Sequence, residues 1–75
     1  MTDQTVTLSL SSDEALVLLE WLSRFNRSED RRFDHPAEQR VLWDMESMLE
    51  SRLVAPFDPN YRDLLAIARE KVSTS

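Results

Sequence analysis

The sequence contains no cysteine and no glycine, and its 75 residues include one histidine, His35. Without cysteine there is no disulfide and no thiolate metal site. One histidine rules out a multi-histidine site within one chain. Without glycine there is no Gly-rich phosphate loop, no dinucleotide-binding fingerprint and no EF-hand turn, so tight turns fall to Asn26, Asn60 and the three prolines. No apolar run approaches the roughly 18 residues of a membrane span. Met1-Thr2-Asp3-Gln4 lacks the basic-then-apolar pattern of a secretory signal, so the expected location is the cytoplasm. Positive charge is also short: 9 basic against 14 acidic residues leave a net charge of −5, which disfavours nucleic acid and anionic membrane as partners.

What is present is enough for one small globular domain. The chain is 41% hydrophobic with two tryptophans, which excludes a disordered chain. A domain of this size buries only about 60–65% of the surface its unfolded form exposes. Its apolar burial therefore barely offsets chain entropy, and such domains commonly draw on disulfides, metals or partners. With disulfides and thiolate metal sites absent, a protein partner is expected, first of all a second copy of the chain.

The expected fold is mainly α, one β-strand followed by a small bundle of three helices. Thr5-Val6-Thr7-Leu8-Ser9-Leu10 alternates polar and apolar, the period of a half-buried strand over about residues 5–10. Ser11 with Glu14 makes a capping box, opening a helix over about 12–26. Its apolar residues, among them Leu16, Val17, Leu18, Leu19, Trp21, Leu22 and Phe25, cover roughly 200° of its wheel, about twice the usual stripe. That helix needs cover on more than one flank. The charged stretch from Asn26 to His35 reads as a loop pinned by Phe33. Pro36 starts a second helix, over about 36–53, capped by Asp34 or His35. Val41, Leu42, Met45, Met48, Leu49 and Leu53 form its apolar stripe, and Trp43 falls outside it. Pro56 and Pro59 make a corner, and Asp58 is expected to cap a third helix over about 59–72 with Tyr61, Leu64, Leu65, Ile67, Ala68 and Val72 facing inward. Residues 1–4 and 73–75 are expected to fray.

A lone strand cannot make a sheet. It is expected to pair with the same strand of a second subunit or with a partner's sheet, the alternative being an arm packed on its own helices. The candidate interface residues are Val6, Leu8, Leu10, Val17, Trp21 and Trp43. The arginines Arg24, Arg27, Arg31, Arg32 and Arg40 gather near one corner, where interleaved Glu29, Asp30, Asp34 and Glu38 favour solvated ion pairs over an anion site. Glu38, Asp44, Glu46 and Glu50 read as a solvated helix face rather than paired catalytic carboxylates. His35 reads as a capping residue rather than a general base, and no serine has a credible base beside it. No catalytic, cofactor-binding or metal-binding residue is assigned.

These features favour a non-catalytic homodimeric protein-interaction or regulatory module, with an unidentified protein partner as a further possibility. Two alternatives compete with it. Val6-Thr7-Leu8-Ser9-Leu10-Ser11 leading into a helix resembles the start of ribbon-helix-helix repressors, whose strands pair in a dimer and read bases; Thr5, Thr7 and Ser9 stand at the outward positions. The chain departs from that family in having no Arg or Lys in the strand, a long charged loop in place of a short turn, and an acidic balance. The other alternative is an acidic decoy or a small subunit of a larger complex. Over most of its length, through Val-Thr-Leu-Ser-Leu-Ser, Glu-Ala-Leu-Val-Leu-Leu-Glu-Trp-Leu, Ala-Glu-Gln-Arg-Val-Leu-Trp and Pro-Phe-Asp-Pro-Asn-Tyr, the chain resembles a group of short bacterial helical proteins with no assigned role. That resemblance implies no activity.

Overall fold

Ser11 Oγ accepts the Glu14 N–H at 3.1 Å, and the Glu14 carboxylate accepts the Ser11 N–H at 2.9 Å, so the capping box closes from both sides. The computed structural model describes residues 4–30 and 32–74. Helix α1 spans Ser12–Arg27, α2 spans Pro36–Arg52 and α3 spans Tyr61–Thr74, with a short 3-10 turn at Ala55–Phe57. Pro36 occupies the first turn of α2, and His35 caps it by accepting the Ala37 N–H on Nδ1 at 3.0 Å. Asp34 adds a reciprocal contact, its N–H donating to Glu38 at 3.0 Å.

Helix α1 is the axle of the molecule and packs against both α2 and α3. Ala15, Leu16, Leu19 and Leu22 are buried on it, and Leu65 and Ala68 are buried on α3. The wide apolar arc of α1 is thus covered by two neighbours from its own chain. Both neighbours return along α1. On one side Phe25 lines a cleft with Ala37 and Val41, and Leu18 lines another with Met45 and Leu49. On the other side Tyr61 reaches Glu20, and Val72 lies near Asp13.

Helix α2 buries no residue. Leu42, Met45, Leu49 and Leu53 are half-buried, but Val41 and Met48 stand exposed.

No strand forms among the described residues. Residues 4–11 carry no helix and no ladder, which corrects the strand expected over 5–10. The alternation of Val6, Leu8 and Leu10 supplies a strand's period, but a strand is completed by the hydrogen bonds of a neighbour, and the described residues provide none. The segment is an arm. It borders a cleft of about 550 Å³ walled by Leu18 of α1 and by Met45, Met48, Leu49 and Arg52 of α2.

Other boundaries move for local reasons. Asp58 stands ahead of α3 in extended geometry (ψ 136°) and its carboxylate accepts the Asn60 N–H at 2.8 Å, while the regular helix begins at Tyr61 rather than 59. Ile67 is exposed, not inward-facing: α3 packs against α1 and the 3-10 turn, and its buried residues are Leu65 and Ala68. The helix continues through Ser73 and Thr74, whose hydroxyls donate back to the Glu70 carbonyl. Residues 1–3 and 75 of the expected frayed ends lie outside the described residues.

No described residue has a positive φ. With no glycine to take a left-handed cap, α1 and α2 end by stepping into extended geometry at Ser28 (ψ 141°) and Leu53 (ψ 137°). Asn26, a turn candidate by sequence, is instead a buried residue inside α1.

Candidate interaction surface

The accessible surface is 6430 Å², about a third above the roughly 4,800 Å² expected for a folded monomer of this mass. The radius of gyration, 14.1 Å, likewise exceeds the about 11 Å of a compact chain of this length. The arm contributes to the surplus of surface. Val6 is 84% exposed and Leu8 79%.

Apolar surface is exposed at Val54 and Phe57 in the corner before α3, and also along one face of the α1–α2 pair. At one end lies the arm with its cleft over Leu18, Met45, Met48 and Leu49. At the other end is a second cleft of about 440 Å³, lined by Phe25, Phe33, Ala37, Val41 and Leu42 with Arg32 and Glu38 at its rim. Aromatic rings shape that end. Trp21 stacks on Phe25 with centroids 4.9 Å apart and planes at 11°, and Phe33 meets Phe25 edge-on at 5.8 Å. These are the geometries aromatic quadrupoles favour, and they hold Phe33 and its loop against α1 as the sequence suggests.

The six candidate interface residues do not share one face. Val6, Leu8 and Leu10 are on the arm, exposed beside the Met45–Met48 cleft. Trp21 is half-exposed on the aromatic flank of α1. Val17 is half-buried and packs against the Leu16–Leu65–Ala68 cluster between α1 and α3. Trp43, also half-exposed, lies about 160° around α2 from Met45, on the far side of that helix.

The polar groups hold the helices together. Asn26 Nδ2 donates to Glu46 Oε1 at 2.7 Å and, at 3.5 Å, to the Leu42 carbonyl, tying the end of α1 to α2. Glu46 is therefore half-buried and engaged, which corrects the purely solvated face expected for it. Tyr61 donates to Glu20 at 2.9 Å, and Glu20 also pairs with Arg24 at 3.1 Å. Arg40 pairs with Asp44 at 3.3 Å. Among the described residues the arginine group thus contains two ion pairs, each with a partner one helical turn away. Arg32 sits at the aromatic cleft, Arg27 lines a cleft of about 270 Å³ with Glu50 and Phe57, and Arg31 lies outside the described residues.

Among the described residues no group of three or more His, Cys, Asp or Glu is placed to hold a metal ion, and no helix is long and apolar enough to cross a membrane. Comparisons with protein-family models, curated proteins and solved structures found no match, in keeping with a resemblance that reaches only proteins without an assigned role.

The stripe of Val41, Met45 and Met48 on α2 carries an opposite charge at each end. Glu38, Val41, Met45, Met48 and Arg52 follow alternating steps of three and four residues, so they form one stripe along the helix. It is offset from the half-buried Leu42–Leu49 edge toward the open face.

Proposed function

We propose that the chain is a non-catalytic homodimeric module for protein interaction or regulation. The observation that supports this reading is the coincidence of surplus surface with apolar character. Val6 and Leu8 on the arm, and Val41 and Met48 on α2, all lie open around the two clefts of one face. An exposed patch of this kind on a small soluble domain marks an association site. A second copy of the chain would add apolar burial to a domain of 75 residues whose own core is small.

The arm engages a second chain in one of two ways. Its backbone pairs edge to edge with the other arm, or its side chains enter the other molecule. Leu8→Pro disables both modes, since it removes a backbone donor and the side chain. Leu8→Thr keeps a ladder possible and removes only the insertion.

Sedimentation or native mass measurement over a micromolar-to-millimolar concentration series tests the association. A reversible monomer–dimer equilibrium is expected. A single monomeric mass throughout overturns the reading, and strongly salt-dependent binding to duplex DNA would replace it with the regulator alternative.

A further inference from the structure

We infer that two copies pack through the exposed face of α2 about a twofold axis at Met45, with the arm of each chain entering the Phe25–Phe33–Val41 cleft of the other. This rests on the homodimer reading above and specifies its surface.

The stripe on α2 is complementary to itself when reversed. Glu38 and Arg52 lie seven residues on either side of Met45, and Val41 and Met48 lie four before and three after it. A twofold axis at Met45, with the two α2 helices antiparallel, sets Val41 of each chain against Met48 of the other. It also sets Glu38 of each against Arg52 of the other. The apolar residues meet in the centre and opposite charges meet at both ends, the arrangement in which an isologous interface satisfies itself. A parallel pairing would oppose Glu38 to Glu38 and Arg52 to Arg52.

The clefts obey the same symmetry. The arm borders the Met45–Met48–Arg52 end, and the aromatic cleft occupies the Ala37–Glu38–Val41 end. Met48 and Val41 are about 10 Å apart along the helix axis. The twofold operation carries the arm of one chain over the aromatic cleft of the other, and the reverse. A projecting element and a receiving cleft at opposite ends of one face are what a closed dimer requires. The surface surplus is also of the right size: about 800 Å² per partner is buried in an interface of standard size, well within the excess of the 6430 Å² chain.

The absence of cysteine makes the test clean, because any introduced thiol is the only one. Met45→Cys, on the axis, should link two chains through a short bismaleimide. Ser47→Cys, exposed and about 160° around the helix, should not. Glu38→Arg should weaken the dimer roughly tenfold, since attraction becomes repulsion at both ends, and Glu38→Arg with Arg52→Glu together should restore it. The rescue discriminates against a folding effect. Glu38 accepts the Asp34 N–H at the start of α2, and each charge exchange opposes the helix dipole, so the double variant has the weaker helix yet the stronger dimer. A dimer in which Ser47→Cys links as well as Met45→Cys, or which the double exchange fails to restore, overturns this surface and leaves the homodimer standing. A chain monomeric at millimolar concentration overturns both.

Discussion

The hydroxyl of Tyr61 donates a 2.9 Å hydrogen bond to Glu20, joining the first residue of α3 to the middle of α1. Burial raises the Tyr61 pKa above its ordinary 10.0, and the hydrogen bond to Glu20 and its negative charge raise it further, against a smaller pull from Arg69 and Arg24. The folded state therefore favours the neutral phenol. The stability this confers is fully present below pH 10.0, the unfolded value, and is lost as pH rises through the higher folded value. Tyr61 is the only tyrosine, so tyrosinate absorbance reports it alone. The native midpoint should lie above 10.0 and fall in Glu20→Gln, while staying raised because burial persists. Equal midpoints in native protein and in denaturant would contradict the burial argument.

Asn26 is the polar tie between α1 and α2. Asn26→Ala removes the donor to half-buried Glu46 and should lower stability by about 1–3 kcal/mol in urea unfolding. Asn26→Asp should be worse than Ala, because it sets a second carboxylate 2.7 Å from the first. If Asp is tolerated better than Ala, the Asn26–Glu46 bond is not what holds this corner.

The capping box at Ser11 and Glu14 was legible in full from four consecutive residues. Ser11→Ala should cost about 1 kcal/mol and Ser11→Asp much less, because the aspartate still accepts the Glu14 N–H. Thermal melts of the two variants under identical conditions rank them directly, and an equal loss for both would show that the side-chain acceptor is immaterial.

Leu8 separates the fold from the proposed association. It is 79% exposed, so Leu8→Thr should leave the helical circular dichroism and the monomer's unfolding midpoint unchanged while raising the dimer dissociation constant roughly tenfold. Loss of helicity in this variant would mean that the arm supports α1 and α2 rather than a second chain.

Local chemistry was the readable part of this sequence. Ser11, Pro36 and His35 act through neighbours within a few residues, so their roles follow from spacing alone. The broad apolar arc of α1 also announced two neighbours, although both came from its own chain. What depends on distant geometry was not readable. The alternation at Val6, Leu8 and Leu10 has a strand's period, yet whether a ladder forms depends on an edge elsewhere. Asn26 has the composition of a turn, and only the approach of Glu46, 20 residues on, makes it a buried helical residue. The apolar stripe of α2 was evident, but a stripe does not say how many sides of it a small chain can cover.

That incomplete cover has a dynamic consequence. With no buried residue, α2 is anchored to α1 by half-buried leucines and the Asn26–Glu46 bond. Its amide hydrogens should exchange through local opening, at a free energy well below that of global unfolding, while the middle of α1 around Leu19 and Leu22 exchanges last. The domain thus consists of an α1–α3 pair and a lightly anchored α2, whose protection should rise with protein concentration under the proposed pairing of two chains. Association would then act as the final folding step of α2.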